Sequence, residues 1–290
     1  MRILLTLLLA LAALPVRATT DIKIASWNIA WLTLRPVGDR DLPPNLTLRG
    51  AVDFARLRAY ADRLAADIVA LQEVDGPEAA ARVFDPRTHE FHFPDERDIQ
   101  RAGFAWRRGL RVTANPDLVG LDLRPQARFS LRRGADVTVE VAGGSRLRLL
   151  SVHLQAGCME GALAAGRGRE CDSLGQQASA LAGWIAERRR EGVPFMILGD
   201  FNRRLRGDDE FLAVLTQHGP LLRATEGVSN PCWSSESRAR PFIDHILLGG
   251  AARGWLVADS LRVLIYAERD PRMRDLISDH CPISVRMRLP

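Results

Sequence analysis

Phe195-Met196-Ile197-Leu198-Gly199-Asp200-Phe201-Asn202 decides how this chain is read. Four apolar residues behind Pro194 form a buried strand. The strand ends in Gly-Asp-x-Asn, which sets a carboxylate and an amide at the open end of a sheet. Side chains alternate along extended backbone, so Asp200 and Asn202 point the same way. Such a pair suits a hydrated divalent cation and a phosphate oxygen. A plain turn uses the same residues, so the reading depends on the rest of the chain.

Upstream, Asp21 to Ala30 alternates and predicts a first strand ending near Asn28. A Pro-containing loop runs from Leu34 to Gly50. Phe54, Leu57, Tyr60, Ala61 and Leu64 recur at helical spacing and predict a helix ending by Ala66. Ile68-Val69-Ala70-Leu71 predicts a buried strand with Glu73 at its end. A right-handed strand–helix–strand crossover then places Asn28 and Glu73 at one sheet edge.

Downstream, Phe104-Ala105-Trp106 predicts a strand. Val137–Val141 and Leu147–Leu154 predict a hairpin turning on Gly143-Gly144, with His153 at its far end. Ser173 to Arg190 predicts a helix capped by Ser173. A short helix is expected over Asp209 to Gln217. Phe242–Leu248 predicts a strand with Asp244 in its interior, where a charge needs a partner. Final strands are expected at Leu261–Tyr266 and Ile283–Leu289, with Ser278-Asp279-His280 just before the last.

Residues 1–18 have a basic start, an apolar centre and small residues up to Ala18, the pattern of a secretory signal peptide. Residues 19–290 then form one domain, with no later stretch able to cross a bilayer, and the expected location is periplasmic or secreted. The net charge is +5, and Lys23 is the one lysine. Four cysteines in an exported chain imply disulfides; of three pairings, Cys158–Cys171 and Cys232–Cys281 are favoured over a zinc site, since no Cys-x-x-Cys occurs.

The polar residues converge on one chemistry. Asn28, Glu73, Asp200, Asn202 and Asp279 are hard oxygen donors suited to Mg²⁺ or Mn²⁺. His280 is a candidate general base, and Asp244 a candidate to hold its imidazole. His153 and Asn202 can donate to a phosphoryl oxygen as charge builds.

Six short motifs, Ser26-Trp27-Asn28, Leu71-Gln72-Glu73-Val74, Ser151-Val152-His153-Leu154, Gly199-Asp200-Phe201-Asn202, Ile243-Asp244-His245-Ile246-Leu247 and Ser278-Asp279-His280, occur in one order. In that order they resemble the endonuclease/exonuclease/phosphatase superfamily, the DNase I-like fold, across nearly the whole chain after the signal. The resemblance implies an α/β fold, a four-layer sandwich of two packed mixed sheets with helices outside. It implies that Asn28 and Glu73 bind the cation with Asp279 close by. It further implies that His280 activates water under Asp244, and that His153, Asp200 and Asn202 contact the scissile phosphate. The abasic-site repair branch carries tyrosine where His153 stands. His153-Leu154-Gln155-Ala156 resembles the sphingomyelinase branch, although that branch's apolar hairpin has no counterpart here.

The expected activity is therefore a metal-dependent nuclease acting as a monomer on DNA or RNA. The alternatives are a phospholipid, sphingomyelin or small-phosphoester hydrolase, or a non-catalytic binding module. Arg203, Arg204 and Arg206, directly after the Asp-x-Asn motif, are expected to contact substrate phosphate, with Arg97, Arg101, Arg107 and Arg108 as further candidates.

Overall fold

The computed structural model describes residues 19–128, 130–141, 143–163, 168–233 and 241–290. The expected signal peptide lies outside the described residues. In chain order the strands are β1 (Thr20–Leu32), β2 (Ile68–Val74), β3 (His89–His92), β4 (Arg101–Arg107), β5 (Arg111–Ala114), β6 (Ala135–Glu140), β7 (Arg146–His153), β8 (Phe195–Asp200), β9 (Leu222–Arg223), β10 (Asp244–Gly249), β11 (Arg262–Val263) and β12 (Ile283–Leu289). The helices are α1 (Ala51–Leu64), α2 (Pro77–Ala80), α3 (Arg169–Arg190), α4 (Glu210–Thr216) and α5 (Met273–Leu276).

The strands make two six-stranded sheets, ordered β11-β12-β1-β2-β4-β3 and β5-β6-β7-β8-β10-β9. Each has one parallel pair near its centre, β1 with β2 and β7 with β8, and antiparallel neighbours around it. The chain between each parallel pair holds a long helix, α1 or α3, as a crossover requires.

Alternation along the strands sorts side chains into three cores. Ile22, Ile24, Ile68 and Ala70 of the first sheet meet Val137, Leu149, Met196 and Leu198 of the second. The intervening Ala25, Trp27, Val69 and Leu71 pack outward on Phe54, Leu57 and Tyr60 of α1. Phe195 and Ile197 pack on Leu174, Leu181 and Trp184 of α3. Helix, sheet, sheet, helix is the four-layer order. A polar bridge crosses the central core: Ser26 Oγ donates to Gln72 Oε1 (3.2 Å), Gln72 Nε2 to Ser151 Oγ (3.0 Å), and Ser151 Oγ to Leu71 O (3.0 Å).

Several boundaries differ from expectation. The third helix starts at Arg169 behind Gly168, so Ser173 is buried inside it and is not a cap. Asp244 is the first residue of β10, paired across from Asp200, not an interior one. Of Leu261–Tyr266 only Arg262–Val263 pairs with β12, because Tyr266 turns away to accept from Trp27 Nε1 (2.8 Å). Both expected disulfides, Cys158–Cys171 and Cys232–Cys281, are present. No helix among the described residues is long and apolar enough to cross a membrane.

Candidate active site

The carboxyl ends of the two parallel pairs abut, and the site lies where they meet. In the register, Asn28 stands beside Gln72, His153 beside Asp200, and Asp244 opposite Asp200. Gly199 is what allows so close a strand pairing here: it has φ of +147°, and a Cβ there would sit 1.9 Å from Val152 O. One residue later the chain leaves the sheet, and Asn202, at φ of +50°, folds back on Asp200. Its backbone N and Nδ2 donate to the Asp200 carboxylate at 2.8 and 3.2 Å. Asp200 and Asn202 thus converge through a turn rather than through strand alternation.

Asp200 is buried and is the hub. Asn28 Nδ2 donates to its Oδ2 at 3.1 Å, and His153 Nε2 and His280 Nε2 lie 3.7 and 3.8 Å from the same oxygen. Burial, offset in part by His280 and reinforced by Asp244, pushes the Asp200 carboxyl up to about 7. On one side, Glu73 accepts from Asn28 Nδ2 (3.0 Å), Trp31 N (3.2 Å) and Gln100 Nε2, and lies 3.6 Å from His153 Nε2. On the other, His280 Nδ1 meets both oxygens of Asp244 at 3.0 and 2.8 Å. Burial alone would depress His280, but the Asp244 and Asp200 carboxylates carry its pKa well above the usual histidine value. Burial and the nearby Arg132 cation hold His153 well below it.

The loop bearing His280 is pinned to the first sheet. Ser278 Oγ donates to Asn28 O (2.7 Å) and accepts from His280 N (3.0 Å), and Tyr266 OH donates to His280 O (2.7 Å). Arg49 donates to the carbonyls of Ile29, Trp31, Leu276 and Ile277, tying the end of β1 to that loop. The disulfide at Cys281 and the bond from Trp233 Nε1 to Ser278 O (2.8 Å) close its far side. Asp279 stands at the rim, its side chain 61% exposed and 3.9 Å from His280 Nε2.

Two overlapping sets of ligand atoms lie within 4.8 Å of one another, Glu73–His153–Asp200 and Asp200–Asp244–His280. The donor chemistry on the Glu73 side, two carboxylates with an amide between them, fits a hard divalent cation. The other side is a histidine–carboxylate dyad. His245, in the same motif as Asp244, has no part in this: it is buried against Thr225 Oγ1 (2.7 Å) and Arg203 O (2.9 Å), and burial pushes it down to about 3.

The arginines divide. Arg203 is corrected: it is 1% exposed, bridged to Asp209 at 2.9 Å and bonded to the carbonyls of Cys158 and Gly161. It is a structural cation with no face for substrate. Arg204 and Arg206 both pair with Glu160 at the surface. Arg107 and Arg108 stand at the wrong end of the first sheet, since Ile68, at the start of β2, pairs with Trp106. Arg101, beside Val74, is at the site's end but is spent on Asp98 O and Asp75. Gln100, Trp31, Arg132 and Arg49 were not picked out from sequence; all lie at strand margins or in loops, where no periodicity marks them.

A family model described as Endonuclease/Exonuclease/phosphatase family matches residues 25–280. The chain belongs to this family. Its six motifs are thus those of a family whose members hydrolyse phosphoesters, and the cluster has the groups that reaction needs. No curated protein sequence matches the chain. Solved structures share the fold at low identity. TDP2 from C. elegans has a TM-score of 0.57 at 17% identity, covering 92% of this chain and 75% of that one. The human Nocturnin catalytic domain with bound sulfate anion has 0.57 at 16%, covering 94% and 98%. The 3' phosphatase NExo from Neisseria bound to product DNA hairpin has 0.55 at 17%, covering 91% and 98%.

Proposed function

We propose that this family member is an exported, divalent-metal-dependent phosphodiesterase that cuts DNA or RNA by direct attack of water on phosphorus. The observation that carries the reading is the buried carboxylate of Asp200, with a cation-fitting Asn28–Glu73 pair on one side and the His280–Asp244 dyad on the other. DNA in the NExo structure and the two disulfides, which fit an oxidising compartment, support the substrate class and export.

Asn28 and Glu73 would hold Mg²⁺ or Mn²⁺, with Asp279 at the rim. The bound ion supplies charge stabilisation at a phosphoryl oxygen. His280, turned by Asp244 so that Nε2 faces the centre, takes the proton of the attacking water when in its neutral form, which the flanking carboxylates make the form favoured at higher pH. Asp244 stabilises the resulting imidazolium. Asn202 and His153 contact the phosphoryl oxygens, Asn202 by releasing one of the bonds its Nδ2 makes to Leu154 O and Asp200. Arg204 and Arg206 remain candidates for more distant phosphate contacts. A monomer suffices, because every one of these side chains comes from one chain.

The test is to incubate the purified protein with plasmid DNA, RNA and phosphatidylcholine–sphingomyelin liposomes, each with Mg²⁺, Mn²⁺ or EDTA, beside His280→Ala. Metal-dependent cleavage of nucleic acid that falls about 10²–10⁴-fold in the variant is expected. Released phosphocholine with intact nucleic acid would move the substrate to lipid, and no turnover on any of the three would refute the reading.

A further inference from the structure

A cleft of about 470 Å³ opens beside the catalytic centre. Two of its wall residues are also partners of the centre. Gln100 donates to Glu73 and places its carbonyl 3.4 Å from His153 Nδ1, while Trp31 donates its backbone N to Glu73. The cleft is therefore continuous with the place where the scissile phosphate would sit.

Its walls are cationic. Arg97, Arg124, Arg128 and Arg132 line it, against the carboxylates of Asp41 and Asp98. Asp41 is engaged by Arg35 at 3.2 Å, and Asp98 accepts from the backbone of Gln100. Some exposed guanidinium groups elsewhere among the described residues of this arginine-rich chain are matched by a carboxylate, as Arg108 is by Glu90 and Arg288 by Asp21, and others stand free of one, as Arg253 does. Among the described residues Arg97, Arg124 and Arg132 make no ion pair within 4 Å, although Arg132 lies near enough to Asp98 to offset part of the rise that burial gives that carboxyl. Arg132 is the most telling. It is only 9% exposed, spends one donor on Leu154 O (3.0 Å), and its Nε has no hydrogen-bond partner among the described residues; Arg124 Nε is likewise unpartnered. A guanidinium carries five donors, and leaving them unmatched in a half-closed site is costly unless an anion completes them. The volume is that of a small-ligand site, enough for one nucleotide unit, and Trp31 provides an aromatic wall for a base.

We infer that this cleft is a second phosphate subsite, in which Arg97, Arg124 and Arg132 hold the phosphate next along a single nucleic-acid strand from the one being cut. The assignment rests on the phosphodiesterase reading for its placement, and makes the enzyme prefer a strand to a mononucleotide ester.

Binding and turnover are measured separately. Anisotropy of a fluorescein-labelled single-stranded 12-mer, in EDTA, gives Kd against salt for the wild type, Arg97→Gln, Arg124→Gln, the double variant and Arg253→Gln, an exposed control far in sequence. Each cleft substitution should raise Kd about tenfold and flatten the slope of log K against log salt by about 0.7. The control should match the wild type. With Mg²⁺, the ratio of kcat/KM for the 12-mer to that for bis(p-nitrophenyl) phosphate should fall by a similar factor. Unchanged Kd and salt slope in the double variant would overturn the subsite. So would equal losses on both substrates, or binding to sphingomyelin vesicles in place of the 12-mer. If cleft-dependent binding holds while no phosphodiester is cut, the subsite stands and the proposed chemistry fails.

Discussion

Glu96 offers a test of the fold that does not depend on turnover. Its Oε2 accepts from Arg133 N at 2.9 Å, while its Oε1 is buried without a hydrogen-bond partner among the described residues. Burial pushes this carboxyl up to about 8 from 4.5. The folded protein therefore keeps Glu96 protonated at neutral pH, whereas the unfolded chain ionises it. Its contribution to stability is complete below pH 4.5 and is lost as pH climbs to about 8. At about 1.4 kcal/mol per pH unit that span corresponds to about 5 kcal/mol, and partial solvent access reduces it to roughly 2–4 kcal/mol. Glu96→Gln keeps the shape, accepts from Arg133 with its carbonyl, and cannot ionise. Urea unfolding of both proteins from pH 4.5 to 9 at fixed ionic strength should give matching midpoints at the acid end. The variant should then gain steadily and level off above pH 8. Curves that stay parallel would refute the buried, neutral carboxyl. Asp98, also raised by burial, is one of the charges that push Glu96 up, so part of the difference between the two curves is the loss of that repulsion.

Other expectations follow from packing. Gly199→Ala drives a Cβ to 1.9 Å from Val152 O at a backbone angle only glycine accepts, and should cost more than about 3 kcal/mol in chemical denaturation, with loss of activity. Asp209→Ala removes both the cap of α4 and the partner of buried Arg203. It should cost about 3–5 kcal/mol, where Glu160→Ala, which frees only surface arginines, should cost under about 1 kcal/mol by the same measurement. Replacing Cys232 and Cys281 together by serine should lower stability by about 4 kcal/mol, against about 3 kcal/mol for Cys158 and Cys171, because the closed loops span 49 and 13 residues. An equal effect of the two pairs would count against the loop-entropy account.

Much of this was written in the sequence, for a physical reason. Strands buried on both faces leave unbroken apolar runs, and Asn28, Glu73, His153 and Asp200 each close such a run, so polarity marks the edge of the sheet. Helices α1 and α3 show the 3.6-residue period because one face of each packs on a sheet. The edge strands β3, β5, β9 and β11 were invisible in full or in part, being short and half exposed. Arg203 was misread because charge type alone does not report burial: its neighbours Arg204 and Arg206 face solvent, while it turns inward to Asp209. Arg132 and Gln100 reach the site only through loops, and no local pattern predicts where a loop returns.

The bridge from Ser26 through Gln72 to Ser151 has a consequence for how activity fails. The proposed catalytic groups are split between two slabs, Asn28 and Glu73 on one, His153, Asp200 and Asp244 on the other, and apolar contacts alone permit slabs to slide. Two directional bonds across the buried interface, Gln72 to Ser151 and Ser151 to Leu71 O, oppose that sliding and keep the halves in step, with Ser26 holding Gln72 in place. A protein built this way loses its chemistry to a displacement of about 1 Å, long before either slab melts. Under pressure or mild denaturant, inactivation should therefore precede the loss of secondary structure, making turnover the finest gauge of whether the two halves are still aligned.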